Sequence, residues 1–153
     1  MPNTYTQLYV HYVFAVKCRA ALIQPPWQTR LHEYITGIFQ HHNHKMIQVN
    51  SMYDHIHILT SVDPSQSLSS IIQQVKTASS KWINQNEFCP QRFAWQEGYA
   101  AFSYSKSQLP SVVLYIQNQQ VHHEKHSFLQ EYRQLLQSFD IKYDDRYIFH
   151  ELV

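Results

Sequence analysis

Residues 5–17, YTQLYVHYVFAVK, alternate with a period of two. In an extended chain Leu8, Val10, Tyr12, Phe14 and Val16 share one face, and Gln7, Tyr9, His11 and Val13 share the other. The β-branched and aromatic content predicts a long strand. QPPWQTR breaks the pattern, with Pro26 placed to open a helix. Leu31, Tyr34, Ile35, Ile38 and Phe39 then recur at helical spacing, which predicts an amphipathic helix over about 27–42, weakened at Gly37. Residues 45–62 return to strand character. DPSQS is a turn that supplies Ser65 and Ser67 as N-cap candidates. Leu68, Ile71, Ile72, Val75, Ala78 or Ser79, Trp82 and Ile83 form a second helical stripe. After the loop NQNEFCPQ, RFAWQEGYAAFSYS reads as a third strand region, with a bulge or bend at Gly98. Pro110 sits near the first turn of a helix over about 111–125. Ser127 and Gln130 form a capping-box signature for a short helix through about 139. IKYDDRYIFHELV closes the chain as a turn and a short edge strand. The order β-α-β-α-β-α-α predicts an α+β domain, one sheet with helices packed mainly on one face.

Composition narrows the class. A chain of 153 residues, 44% hydrophobic and 14% aromatic, is sized for one domain with a real core. The domain is expected to span 1–153, without internal repeats. Two glycines leave no room for a Gly-rich phosphate loop. No apolar run approaches the roughly 20 residues of a membrane span, and the N-terminus lacks the basic start of a signal peptide. Cys18 and Cys89 are far apart and without metal-ligand spacing, so two reduced thiols in a cytoplasmic protein are expected. The net charge of +1 is unevenly spread: eight basic against five acidic residues through position 110, then four against six. A local phosphate-binding face is compatible with this, as are ordinary solvated charges.

The candidate chemistry lies in MYDHIHILT, residues 52–60. His55 and His57 are two apart, so a strand points both imidazoles the same way, with Cβ atoms roughly 7 Å apart. Ile56 and Ile58 turn to the core, and Asp54 is expected on their side, away from His55. Two converging imidazoles can hold a divalent metal, although a polar sheet face explains the pair as well. A third ligand must come from elsewhere, and SVVLYIQNQQVHHEKH is the candidate source. There Tyr115 and Gln119 fall one helical turn apart on one face, Val112, Val113 and Ile116 can anchor the helix to the sheet, and His122 reads as surface. A plain Tyr-Gln surface pair is the alternative.

Taken together, HIH at 55–57 and YIQNQ at 115–119 resemble the single-tyrosine transposases of the insertion-sequence-200/605 type, within the HUH endonuclease superfamily. YTQLYVHYVFAVK and FAWQEGYAAFSYSKS resemble family strands as well, so the likeness covers about 5–125, with 126–153 a helical and extended tail. The subgroup associated with repeated extragenic palindromes is the nearest in character. The resemblance implies a ferredoxin-like antiparallel sheet with the nucleophile on a C-terminal helix. It implies Mg²⁺ or Mn²⁺ held by His55, His57 and Gln119, and attack by Tyr115 to give a covalent 5′-phosphotyrosine. It also implies single-stranded DNA carrying a hairpin as partner, and a homodimer. Lys17, Arg19, Lys76, Lys81, Arg92 and Lys106 are candidate phosphate contacts, with Trp82, Trp95, Tyr99 and Tyr104 as possible base-stacking platforms. Tyr104 departs from the family pattern and is a second candidate nucleophile, ranked below Tyr115 because it is expected to lie in a strand. A domesticated hairpin-binding protein without strand transfer is the competing function.

Overall fold

A computed structural model describes residues 3–150 and 152. Four strands, β1 (Tyr9–Ala15), β2 (Lys45–Ser51), β3 (His55–Ser61) and β4 (Ala100–Tyr104), form one sheet in the order β2-β3-β1-β4. All neighbours are antiparallel. Helix α1 (Pro25–His41) connects β1 to β2, and α2 (Leu68–Gln85) connects β3 to β4. The result is an α+β sheet of split β-α-β type.

The continuous strand expected over 45–62 is a hairpin. Residues 52–54 turn the chain, with the Met52 amide donating to the His55 carbonyl at 3.0 Å. The element order is therefore β-α-β-β-α-β, and the strand-like segments on both sides, with no Gly or Pro between, conceal the turn in the sequence. The third strand region is also shorter than its pattern. Trp95 makes only an isolated bridge with Val16, and Gly98, at φ +86°, redirects the chain before β4. A side chain is strained at that backbone angle, which explains glycine there.

Tyr12, Phe14, Ile56 and Ile58 point to the face covered by α1 and α2 and are fully buried. The Tyr12 ring sits 5.8 Å from Phe39 of α1, and Phe14 meets Trp95 edge-on at 4.8 Å. The Trp95 indole N–H donates to Ser79 Oγ of α2 at 2.9 Å, so the buried ring's one polar atom is satisfied. Ser67 caps α2 by accepting from the Ser70 amide at 3.1 Å.

The opposite face receives the C-terminal helices. A 3₁₀ turn at Lys106–Gln108 leads into α3 (Leu109–Gln117), and α4 (Gln119–His122) follows after a break at Asn118, where the sequence predicts one helix. Val112 and Ile116 pack on Leu59 of β3. Asn50 of β2 donates to the Ile116 carbonyl at 2.8 Å, holding the end of α3 to the sheet. The expected capping box at Ser127 and Gln130 is present and starts α5 (Phe128–Ser138). Phe128 stacks on the His55 ring at 4.2 Å, and Tyr132 and Leu136 join the core. No helix among the described residues is long and apolar enough to cross a membrane.

Candidate active site

The register explains how the site is assembled. His57 pairs with Val13 and Ala15 with His55, while His11 pairs with Leu59, so His11, His55 and His57 all face the C-terminal helices. All three are fully buried. From α3 comes Tyr115, half-buried, with its ring 5.7 Å from that of His57. Gln119, the first residue of α4, is fully buried, and its Oε1 lies 3.1 Å from His55 Nε2. The four residues singled out by the motif therefore meet at one point.

The centre of that point is Glu131 of α5, 2% exposed. Its Oε1 lies 3.1 Å from His57 Nε2, 3.3 Å from His55 Nε2 and 3.0 Å from His123 Nε2. Its Oε2 accepts the Tyr115 hydroxyl and the Gln119 side-chain N–H, the latter at 3.1 Å. His122 Nε2 is 3.4 Å from the same oxygen, so this residue borders the site instead of sitting on the helix surface. Neither Glu131 nor His123 was singled out by sequence reasoning. A signal for Glu131 does exist: with Phe128, Tyr132, Leu135 and Leu136 it falls on the apolar stripe of α5, where an unpaired carboxylate is costly.

Each strand histidine has an outer partner. His55 Nδ1 donates to Asp54 Oδ1 at 2.7 Å. Asp54 was expected across the strand from His55; it lies instead in the turn before β3, where alternation no longer governs side-chain direction. His57 Nδ1 is 2.8 Å from His11 Nε2. His11 Nδ1 is buried without a partner among the described residues.

Electrostatics separate these groups. Burial opposes charging of His55, but Asp54 and Glu131 outweigh it and push the imidazole up to about 9. Burial holds His57 below its ordinary range, with Glu131 opposing, and holds His11 well below. Burial disfavours a charged Glu131, yet hydrogen bonds from His123, His55 and His57 keep its carboxyl far below the usual range. Burial, reinforced by the Glu131 charge, pushes the Tyr115 phenol far up. In this state Tyr115 is a neutral phenol beside a carboxylate.

The donor set fits a divalent cation. Ligands in neighbouring octahedral positions about 2.1 Å from one ion lie about 3 Å from one another. The His55 Nε2 to Gln119 Oε1 separation of 3.1 Å has that spacing, and ligand atoms of His55, His57 and Glu131 lie within 4.8 Å of one another. Imidazole nitrogen with amide and carboxylate oxygen is a mixed set suited to borderline-hard divalent ions.

The candidate DNA contacts are spread over the molecule, and Arg19 shares a cavity with Asp54 and Phe128 at the edge of this centre. Lys76 is half-buried, its amine donating to the carbonyls of Gln96 at 2.8 Å and Gly98 at 2.5 Å, and burial pulls it down to about 8. With exposed Lys81 and Arg92 it lines an open groove of about 920 Å³ between α2 and residues 87–97. Lys17 and Lys106 are exposed elsewhere, and Arg19 donates to the Leu152 carbonyl at 3.4 Å. Trp95 is buried, and one face of Trp82 is covered by Tyr34, stacked at 4.8 Å. Tyr99 lies against the core. Tyr104 packs against Phe139 at 5.5 Å, and its ring is 6.2 Å from His11.

No curated protein matches the chain. Among solved structures, a protein from Deinococcus radiodurans R1 provisionally named a transposase is 19% identical, with a TM-score of 0.61, covering 76% of this chain and 94% of its own. A REP-associated tyrosine transposase bound to a REP hairpin is 13% identical, with a TM-score of 0.60, covering 79% of this chain and 72% of its own. At these identities both establish the fold. The family model described as "Transposase IS200 like" matches residues 4–119, all four strands and the segment from His55 to Gln119 included, and on that match the chain belongs to the IS200-like transposase family.

Proposed function

We propose that this chain is a metal-dependent transposase that cleaves and rejoins single-stranded DNA at hairpin-bearing ends through Tyr115. The observation that carries the reading is the convergence, within one chain, of the Tyr115 hydroxyl, the His55 and His57 Nε2 atoms and the Gln119 side-chain amide N–H on a single carboxylate. The hairpin-bound structure among the similar folds supports a DNA hairpin as the partner class.

His55, His57 and Gln119 would hold Mg²⁺ or Mn²⁺, which polarises the scissile phosphate and lowers the barrier to a phenolate nucleophile. The chain's own residues do the remainder. Tyr115 forms a bond from its phenolic oxygen to phosphorus, and the bond from phosphorus to the 3′-oxygen breaks. The products are a 5′-phosphotyrosine and a free 3′-hydroxyl. Because one phosphodiester replaces another, a 3′-hydroxyl can later reverse the step without a nucleotide cofactor. Val112 and Ile116, seated on Leu59, fix the helix so that Tyr115 faces the histidine strand. The groove of Lys76, Lys81 and Arg92, which Glu87 and Glu97 also line, is the candidate duplex-stem surface.

The test is a covalent adduct. Purified protein is mixed with single-stranded oligonucleotides from the DNA flanking its gene, with Mg²⁺ or Mn²⁺, and run on a denaturing gel beside Tyr115→Phe. A metal-dependent DNA–protein band that vanishes in Tyr115→Phe, with DNA binding retained, supports the reading. Adduct formation by the variant overturns the nucleophile. Hairpin binding with no adduct under either metal favours the domesticated binder.

A further inference from the structure

We infer that Glu131 is itself a metal ligand, binding through Oε1 while Oε2 holds the Tyr115 hydroxyl, so that one carboxylate joins the ion to the nucleophile. This inference rests on the metal-dependent reading above and extends it to a residue outside the matched segment, which ends at 119.

Three observations lead here. The first is which atoms Glu131 meets. Oε1 lies within 3.0–3.3 Å of the Nε2 atoms of His55, His57 and His123, and those of His55 and His57 are the lone pairs a cation between the strand histidines must use. Those separations are the spacing of neighbouring ligands around one ion, so Oε1 stands beside the strand imidazoles as a fellow ligand would.

The second is charge balance. Two neutral imidazoles and a carboxamide offer a divalent ion no compensating charge, and an uncompensated charge in a buried site is strongly disfavoured. His55 and His57 are fully buried and Glu131 is 2% exposed. Among groups that would touch the ion, one carboxylate and one scissile phosphate together balance a charge of +2, with the Asp54 carboxylate one imidazole further out.

The third is rigidity. Glu131 is not on a loose tail. The Ser127–Gln130 capping box fixes the start of α5, and Phe128 and Tyr132 on either side of Glu131 are buried in the core. The helix therefore presents the carboxylate from a capped, core-packed element. Through Oε2, which also accepts from Gln119 Nε2, the same group keeps Tyr115 in register with the ion.

The opposing reading is that Glu131 plugs the site and must leave before a cation binds. Mn²⁺ binding, measured on the full chain by calorimetry and by loss of the free Mn²⁺ electron paramagnetic resonance signal, separates the two. The proteins compared are wild type, His57→Ala and Glu131→Gln. We expect Glu131→Gln to bind Mn²⁺ more weakly by at least the roughly 10–100-fold that outer-shell partners alone cost. Affinity that is unchanged or tighter in Glu131→Gln, while His57→Ala loses binding, overturns the Glu131 assignment and leaves the transposase reading intact. No Mn²⁺ binding by wild type overturns both. If Glu131→Gln does not melt cooperatively, Glu131→Asp, which keeps the charge but withdraws the oxygens by one methylene, carries the same test: weaker binding is expected, and wild-type affinity overturns the inference.

Discussion

Asp54→Asn isolates a contribution that the strand histidines do not make by themselves. Asp54 Oδ1 accepts from His55 Nδ1 at 2.7 Å, which fixes the tautomer that leaves Nε2 free to ligate and raises the basicity of that nitrogen. An asparagine can still offer a carbonyl oxygen to Nδ1, so the substitution removes charge and keeps most of the geometry. Partners of this kind are worth about 10–100-fold in metal affinity, or about 1.4–2.7 kcal/mol. The Asp54 side chain is 37% exposed, so solvent screening places the expected loss near the lower end, about tenfold. Asp54→Ala, which removes the orienting acceptor as well, should lose more. Mn²⁺ titration by calorimetry at fixed pH and ionic strength reads both variants, and adduct yield at saturating Mn²⁺ shows whether the loss is confined to metal binding. Affinity within twofold of wild type for both variants refutes the claim that Asp54 tunes the site.

Two further outcomes are expected. In chelator-treated protein, His55 is raised from an ordinary value of 6.5 to about 9, so its contribution to stability is fully present below about 6.5 and lost as pH rises through about 9. The full loss corresponds to about 3 kcal/mol. Lys76, held down to about 8, acts in the opposite sense over part of the same window, so the measurement is the difference in melting temperature between wild type and Asp54→Asn at pH 6 and pH 9.5. That difference should shrink at the higher pH, and one that does not change with pH refutes the coupling. Asn50→Ala, which unties the Ile116 and Gln117 carbonyls from β2, should cost about 1 kcal/mol in thermal unfolding and slow adduct formation more than it weakens hairpin binding, as seen by comparing gel shift with adduct yield.

What the sequence reveals and conceals follows from the range of the interactions. His55 with His57 and Tyr115 with Gln119 are each local pairs, at strand and helix spacing, and alternation or one helical turn places them correctly. The apolar stripes of α1 and α2 are legible for the same reason. Glu131 reaches His57 across 74 residues and His11 reaches it across 46, so only the folded topology reveals either contact. Asp54 is misplaced by alternation because the hairpin turn, with no Gly or Pro, ends the strand just before it. The segment 126–153, read as a tail, supplies the central carboxylate, since a short helix between charged loops shows its role only through the residue on its buried stripe.

The stacked pair of His11 and His57, with ring centroids 5.0 Å apart, bears on how protons leave a sealed site. While His57 Nε2 donates to Glu131, its Nδ1 must accept from His11 Nε2. When His57 Nε2 gives up that proton to serve as a ligand, the bond between the rings has to reverse, and His11 must carry its own proton on Nδ1. That atom meets no partner among the described residues, so the reversal at His11 displaces no existing contact of Nδ1. The two imidazoles therefore exchange donor and acceptor roles with the state of His57 Nε2, and His11 Nδ1 is buried and unpaired among the described residues in either arrangement. The tautomer of His11 is thus coupled, through one 2.8 Å contact, to what sits on His57.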